Sequence, residues 1–202
     1  MVDEKFIVPY YDKANLEHVC IARNIGVLLS SELDNNEQLI LELAILLHDV
    51  GKLELKIKNT STKEKHDVYG AYFFKTKISN LVKAYLYQLN FSPEYAEWGI
   101  KVIYISILFH SSVMGGMEKY KDLWEQLDDR GRCVVVCVYV ADTISKLMKA
   151  KSRTFTGNFR EETVNAVKKR IENLIPEEFV DIKQRAIILM NLLLSCRSKV
   201  VY

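Results

Sequence analysis

Proline, glycine and cysteine are scarce in this chain of 202 residues, at three, eight and four respectively. So few prolines and glycines speak against many short strands joined by tight turns and favour long helices. Four cysteines in a chain of this size do not make a disulfide framework. Cys133 and Cys137, four apart in a valine-rich stretch, can share a helix face and read as buried free thiols, while Cys20 and Cys196 are isolated. A formal net charge of +2 is too small to establish a nucleic-acid partner, so any positive patch has to be local. No run of eighteen apolar residues occurs, and the opening Met1-Val2-Asp3-Glu4-Lys5 is not that of a signal peptide. The expectation is a cytoplasmic protein with no membrane partner.

What is present is ordinary for a globular chain: 49% hydrophobic and 27% charged residues. The length predicts one domain over 1–202, with a motif-bearing core at about 15–150 and C-terminal helices over 158–199. Apolar residues recur at helical spacing from Asn15 to Leu29, from Gln38 to Leu47, and from Leu81 to Leu89. Asn35 or Asn36 is the expected N-cap of the second of these. A helix should restart near His66, where Gly70 and Ala71 would let a neighbour approach closely. Ser92-Pro93-Glu94 reads as a helix start running to about His110. Gly115-Gly116 suggests a flexible loop, and Asp128 or Asp129 opens a helix reaching about Lys149. The β-branched middle of that helix, Cys133 to Val140, has strand propensity but no evident partner strand. Two further helices are expected at Glu161 to Leu174 and from Pro176 or Asp181 to about Arg197. The fold class is therefore all-α, a bundle of about seven to nine helices.

The chain is organised around Leu46-Leu47-His48-Asp49-Val50-Gly51-Lys52. Gly51 reads as the helix stop, where a residue without Cβ can turn left-handed. A histidine beside an aspartate at the buried end of a helix is costly to leave unpaired, and the two side chains are also ligand types for a divalent transition metal. Taken alone, such a pair reads as a satisfied core histidine with a terminal acid. The chain has only three other histidines, His18, His66 and His110, each within or at the end of a predicted helix. Asp142 is the one acid in the apolar run Val134 to Ile144, so its carboxylate needs a partner or a metal.

In the order His18, His48-Asp49, Asp142, the sequence resembles the HD-domain metal-dependent phosphohydrolase superfamily, an all-α fold. His66 and His110 sit where its two-metal branches carry two more histidines. The second His-Asp pair, His66-Asp67, lacks the following Val-Gly-Lys, so the motif is assigned to His48-Asp49. Within the superfamily the chain is most similar to the stand-alone HD nuclease of type I CRISPR systems. That likeness rests on His48-Asp49-Val50-Gly51-Lys52, on His66 with Gly70-Ala71, and on Ile107-Leu108-Phe109-His110. Those nucleases usually carry two adjacent histidines at the last position, whereas here His110 precedes Ser111.

The resemblance implies one or two divalent transition metal ions, Mn, Ni, Co or Fe, with Mg as a further candidate. His18, His48, Asp49 and Asp142 would hold the first, and Asp49 would bridge to a second held by His66 and His110. It implies hydrolysis of single-stranded DNA, with a separate helicase subunit and an RNA-guided surveillance complex as partners. Asp49 and Lys52 would be catalytic, Lys52 meeting either a phosphate oxygen or the carbonyls of its own helix end. Lys56, Lys58, Lys63 and Lys65, between two ligand segments, are the expected nucleic-acid contacts or else a solvated loop; Lys146, Lys149, Lys151 and Arg153 carry the same ambiguity. Tyr69, Tyr72, Phe73 and Phe74 read either as core or as a surface for stacking bases. Two other functions remain open, an HD phosphohydrolase acting on nucleotides or cyclic nucleotides and a degenerate domain serving as a scaffold.

Overall fold

The computed structural model describes residues 13–52, 66–152 and 161–195. Every regular element among them is helical. In chain order they are α1 (Lys13–Leu29), α2 (Asn35–Leu47), α3 (His66–Phe73, continued through a π-turn at Phe74–Ile78 into Ser79–Gln88), α4 (Pro93–Phe109), α5 (Val113–Lys119), α6 (Lys121–Glu125), α7 (Asp129–Ser152), α8 (Glu161–Leu174) and α9 (Val180–Ser195). The expected breaks before Leu81 and at Gly115-Gly116 are both absent. The first is only a π-turn within one continuous helix. At the second, the two glycines belong to α5, because a Cβ on Gly116 would lie 2.5 Å from the Phe109 ring and its absence lets α5 pack there.

The centre of the bundle is α7, which packs against α1, α2 and α4. Residues 134–141 of that helix are all but inaccessible to solvent, so it is apolar on every side, as a core helix must be. Burial on all sides also explains why its β-branched run is a helix. Side-chain packing decides the matter over a weak intrinsic preference. Cys133 and Cys137 are free, buried thiols within this run. Among the described residues no single helix is long and apolar enough to cross a membrane.

Helix ends are set by local hydrogen bonding. The N-cap of α2 is Asp34, not Asn35 or Asn36: its carboxylate accepts from the Asn36 and Glu37 amides, and Glu37 reaches back to the Asp34 amide at 2.8 Å. A charged acceptor facing the helix dipole makes the better cap here, and it leaves Asn35 as the first helical residue. Ser92 caps α4 as expected, accepting from Tyr95 N. Asp128 stands just before α7 and accepts from the Gly131 amide at 2.8 Å. A short 3₁₀ turn, Glu177–Phe179, follows Pro176 and leads into α9.

Candidate metal centre

Five segments deliver polar side chains to one place. Helix α1 supplies His18; the turn after α2 supplies His48 and Asp49; α3 begins at His66; α4 ends at His110; and the middle of α7 carries Asp142. His18, His48, Asp49, His110 and Asp142 are buried, and His66 is partly so. All four histidines of the chain thus meet at two aspartates.

The local backbone explains how the imidazoles are aimed. The last carbonyls of a helix have no partner within it. His48 and His110 each cap a helix and each turn Nδ1 onto the carbonyl three residues back, Ile45 O at 2.5 Å and Ile107 O at 2.7 Å. An Nδ1–H donated to a carbonyl leaves the Nε2 lone pair free to bind a cation. Ser145, one turn beyond Asp142, orients His18 in a similar way: its hydroxyl donates to Asp142 O (2.9 Å) and accepts from His18 Nδ1 (3.0 Å). Sequence reasoning missed Ser145, although its position one helical turn from the aspartate was a usable signal. It also missed that Ile45-x-x-His48 and Ile107-x-x-His110 are the same device used twice.

The Nε2 atoms converge on the carboxylates. His18 Nε2 lies 3.0 Å from Asp142 Oδ1 and 4.0 Å from Asp49 Oδ2, and His48 Nε2 lies 3.3 and 3.4 Å from the same two oxygens. The other oxygen of Asp49, Oδ1, is 3.8 Å from His66 Nε2 and 3.5 Å from His110 Nε2, and those two nitrogens are 2.9 Å apart. Asp49 therefore belongs to two compact trios, one with His18 and His48, the other with His66 and His110. Asp142 adjoins the first.

These donors fit a divalent ion. Bonds of about 2.0–2.1 Å put neighbouring donors of a tetrahedral or octahedral ion about 2.9–3.4 Å apart, the range seen here for most of the close pairs. His48 Nε2 and Asp49 Oδ1 are buried without a hydrogen-bond partner, one from each trio. Orphaned atoms of this kind are costly, and a bound cation would satisfy both. Imidazole-rich ligation suits first-row transition ions better than an all-oxygen cage would.

Two lysines close the open side. Lys52 Nζ is 2.6 Å from Asp49 Oδ2, and Lys146 Nζ contacts Asp142 Oδ2; both ammonium-bearing side chains are more than a third exposed. The lysines Lys56, Lys58, Lys63 and Lys65 lie outside the described residues, as do Arg153 and the side chains of Lys149 and Lys151. Comparison with protein-family models, curated proteins and solved structures finds no match.

The charges in the cluster are strongly linked. Burial works against the charged form of His48, but the Asp49 charge and the nearby Asp142 overturn it and hold the imidazole up at about 10. Burial likewise opposes ionisation of Asp49 and Asp142. The His48 charge and the His110 contact outweigh it at Asp49, as do contacts to His18 and His48 at Asp142, so both carboxyls sit well below the ordinary range. A raised histidine contributes stability that is fully present below its ordinary value of 6.5 and lost as pH rises through about 10. The depressed carboxyls contribute stability present above 3.8 and lost as pH falls through their folded values. Chelator-treated protein should accordingly show a urea midpoint that declines from pH 6.5 towards pH 10. His48→Gln should flatten that decline, and a midpoint that rises over the same interval contradicts the assignment.

Proposed function

We propose that the chain is a metal-dependent phosphodiester hydrolase of the HD-domain type, cutting single-stranded DNA. The observation that carries this reading is the division of Asp49 between two histidine pairs, Oδ2 towards His18 and His48 and Oδ1 towards His66 and His110. In it, His18, His48, Asp49 and Asp142 hold a first divalent ion, and Asp49, His66 and His110 a second. Mn, Ni, Co and Fe suit these ligands, with Mg the weaker fit. Such ions, when bound, acidify water near neutral pH and neutralise charge developing on phosphoryl oxygens.

The protein residues have separable tasks. Ile45 O, Ile107 O and Ser145 keep the imidazoles in the binding tautomer. Lys52 and Lys146, paired with Asp49 and Asp142, would be free to meet an incoming phosphate when those carboxylates hold metal instead. Lys52 also marks where the lysine-rich segment leaves the site, and His66 marks where the chain returns to it, so both ends of that segment are at the cluster. Lys56, Lys58, Lys63 and Lys65 would follow the backbone of a polymer from there. The run of lysines between two ligand segments of the sequence favours a strand over a mononucleotide, which has few phosphates to offer. A helicase subunit and an RNA-guided surveillance complex are the partners the reading implies.

The test is a substrate panel on metal-depleted protein reloaded with one ion at a time. Single-stranded DNA should be cut faster than duplex, since an unpaired backbone can bend into a site walled by helices. With substrate below saturation, the rate should fall with salt at a log–log slope of about −0.7 per phosphate contact. Replacing Lys56, Lys58 and Lys63 together by Ala should flatten the slope and leave metal content unchanged. Efficient hydrolysis of nucleotides or cyclic nucleotides, with none of single-stranded DNA, would replace this reading by the small-molecule one. Protein that binds no ion at all would leave only a scaffold.

A further inference from the structure

Helix α3 leaves the metal centre at His66, and its two sides differ sharply. The inner side is Gly70, Ala71 and Phe74, all buried. The outer side carries Tyr69 and Tyr72, which are 37% and 63% exposed, three and six residues beyond His66. The four aromatic residues of this stretch are therefore sorted: Phe74 is fully buried, Phe73 packs on the core, Tyr69 is partly exposed and Tyr72 faces solvent. Lys75 and Lys77 follow on exposed positions. At a rise of 1.5 Å per residue, Tyr72 is about 9 Å along the axis from His66, about two to three stacked nucleotides at 3.4 Å each.

The helix that bears these rings is held firmly to the site. Gly51, two residues from Asp49, meets Gly70 backbone to backbone, at a separation that leaves no room for a Cβ on Gly51. Beyond Tyr72, Thr76 Oγ1 donates to the Tyr72 carbonyl at 2.9 Å as the π-turn begins. A large ring kept in water, at fixed distance from a phosphate-binding centre and flanked by cations, is suited to an unpaired base. Aromatic faces accept any base, and alanine substitution shows each stacked base to matter.

We propose that Tyr69 and Tyr72 form a stacking track for the unpaired bases of the strand whose phosphate lies at the ions, an inference that rests on the single-strand nuclease reading above. The occupant is a single-stranded nucleic acid. Val68 is also exposed on this stretch, but continuity with His66 and the positive charge of Lys75 and Lys77 favour a nucleic acid over a protein helix.

Three substrates given to the metal-loaded full chain test this: an oligo-dT, the same oligomer with abasic sites, and bis(p-nitrophenyl) phosphate, a diester without bases. Replacing Tyr69 and Tyr72 together by Ala should raise KM for oligo-dT about tenfold or more. The abasic oligomer and the small diester should be handled by wild type and variant alike, and Tyr72→Phe should behave as wild type. An unchanged KM for oligo-dT overturns the track, and so does an equal loss on the abasic oligomer. A shift in oligomeric state with KM unchanged assigns the face to a second copy and also overturns it. Binding is read apart from cleavage through Tyr72→Trp, whose fluorescence should be quenched by oligo-dT. Quenching without cleavage sinks the nuclease reading and keeps the track, whereas cleavage without quenching does the reverse.

Discussion

Asp49→Ala is expected to abolish hydrolysis and to release both ions. No other side chain contributes to both trios, and its oxygens lie 3.4 and 4.0 Å from His48 and His18 on one side and 3.5 and 3.8 Å from His110 and His66 on the other. Residues that merely support ligands change metal affinity or activity by about 10–100-fold, so removing a shared ligand should exceed that range, on the order of a thousandfold in rate. The same substitution removes a negative charge beside His48, and its pKa should drop, since the Asp49 charge is the largest influence holding it up against burial. Elemental analysis beside a cleavage assay checks the result. Two ions retained per chain in Asp49→Ala, or activity within tenfold of wild type, would refute the bridging role. Asp49→Asn separates charge from shape. It keeps one carbonyl oxygen, and it should lose one of the two ions more completely than the other.

Gly51→Ala is expected to be the most disruptive small change in the chain. A Cβ there would fall 1.8 Å from the His66 carbonyl oxygen and 2.6 Å from the Gly70 amide nitrogen, and both are backbone atoms that cannot swing aside. Overpacking of an ordinary core position costs about 1–3 kcal/mol, and a clash with fixed backbone should reach or pass the upper end. Relieving the clash means separating the Gly51 turn from α3, which carries His66 away from Asp49 and His110. The variant should therefore unfold at lower urea and also lose the second ion selectively, while His18, His48, Asp49 and Asp142 together retain the first. Chemical denaturation with metal analysis measures both effects. Stability within about 0.5 kcal/mol of wild type would mean that α3 yields at little cost and is not pinned at this glycine.

The same glycine shows where reading the sequence reaches its limit. The sequence predicts that Gly51 ends α2 by turning left-handed, but the chain turns at His48-Asp49, returns to helix at residues 50–52, and Gly51 does not lie in the left-handed region. Its absent side chain serves a tertiary contact, and local pattern cannot distinguish the two uses. Gly70 does admit the close neighbour its size predicts, because a glycine inside a helix weakens that helix and is best placed where another backbone must approach. The all-helical class and most helix ends are legible from apolar spacing. The π-turn is not, since joining α3's two halves depends on packing and has no residue signature of its own. Of the centre, the six ligand candidates are visible as rare residues in apolar settings. The two helix-end carbonyls are not, because backbone acceptors are the same at every position. Of the aromatic stretch, the core reading holds for Phe74 and not for Tyr72, which is exposed, according to which side of one helix each occupies.

The donors of the centre are drawn from five segments, and His18 and Asp142, 3.0 Å apart, are separated by 124 positions in the chain. Contacts of such sequence separation form late, after the loops between them have closed. A chain with α1 and α4 in place but α7 still undocked has histidines near one another and no complete cage for an ion. The full donor set thus comes together only with the finished bundle. For an enzyme that would cut nucleic acid, this means that a nascent or damaged copy carries no active blade, and that metal capture, which favours the folded state by mass action, doubles as a seal on correct assembly.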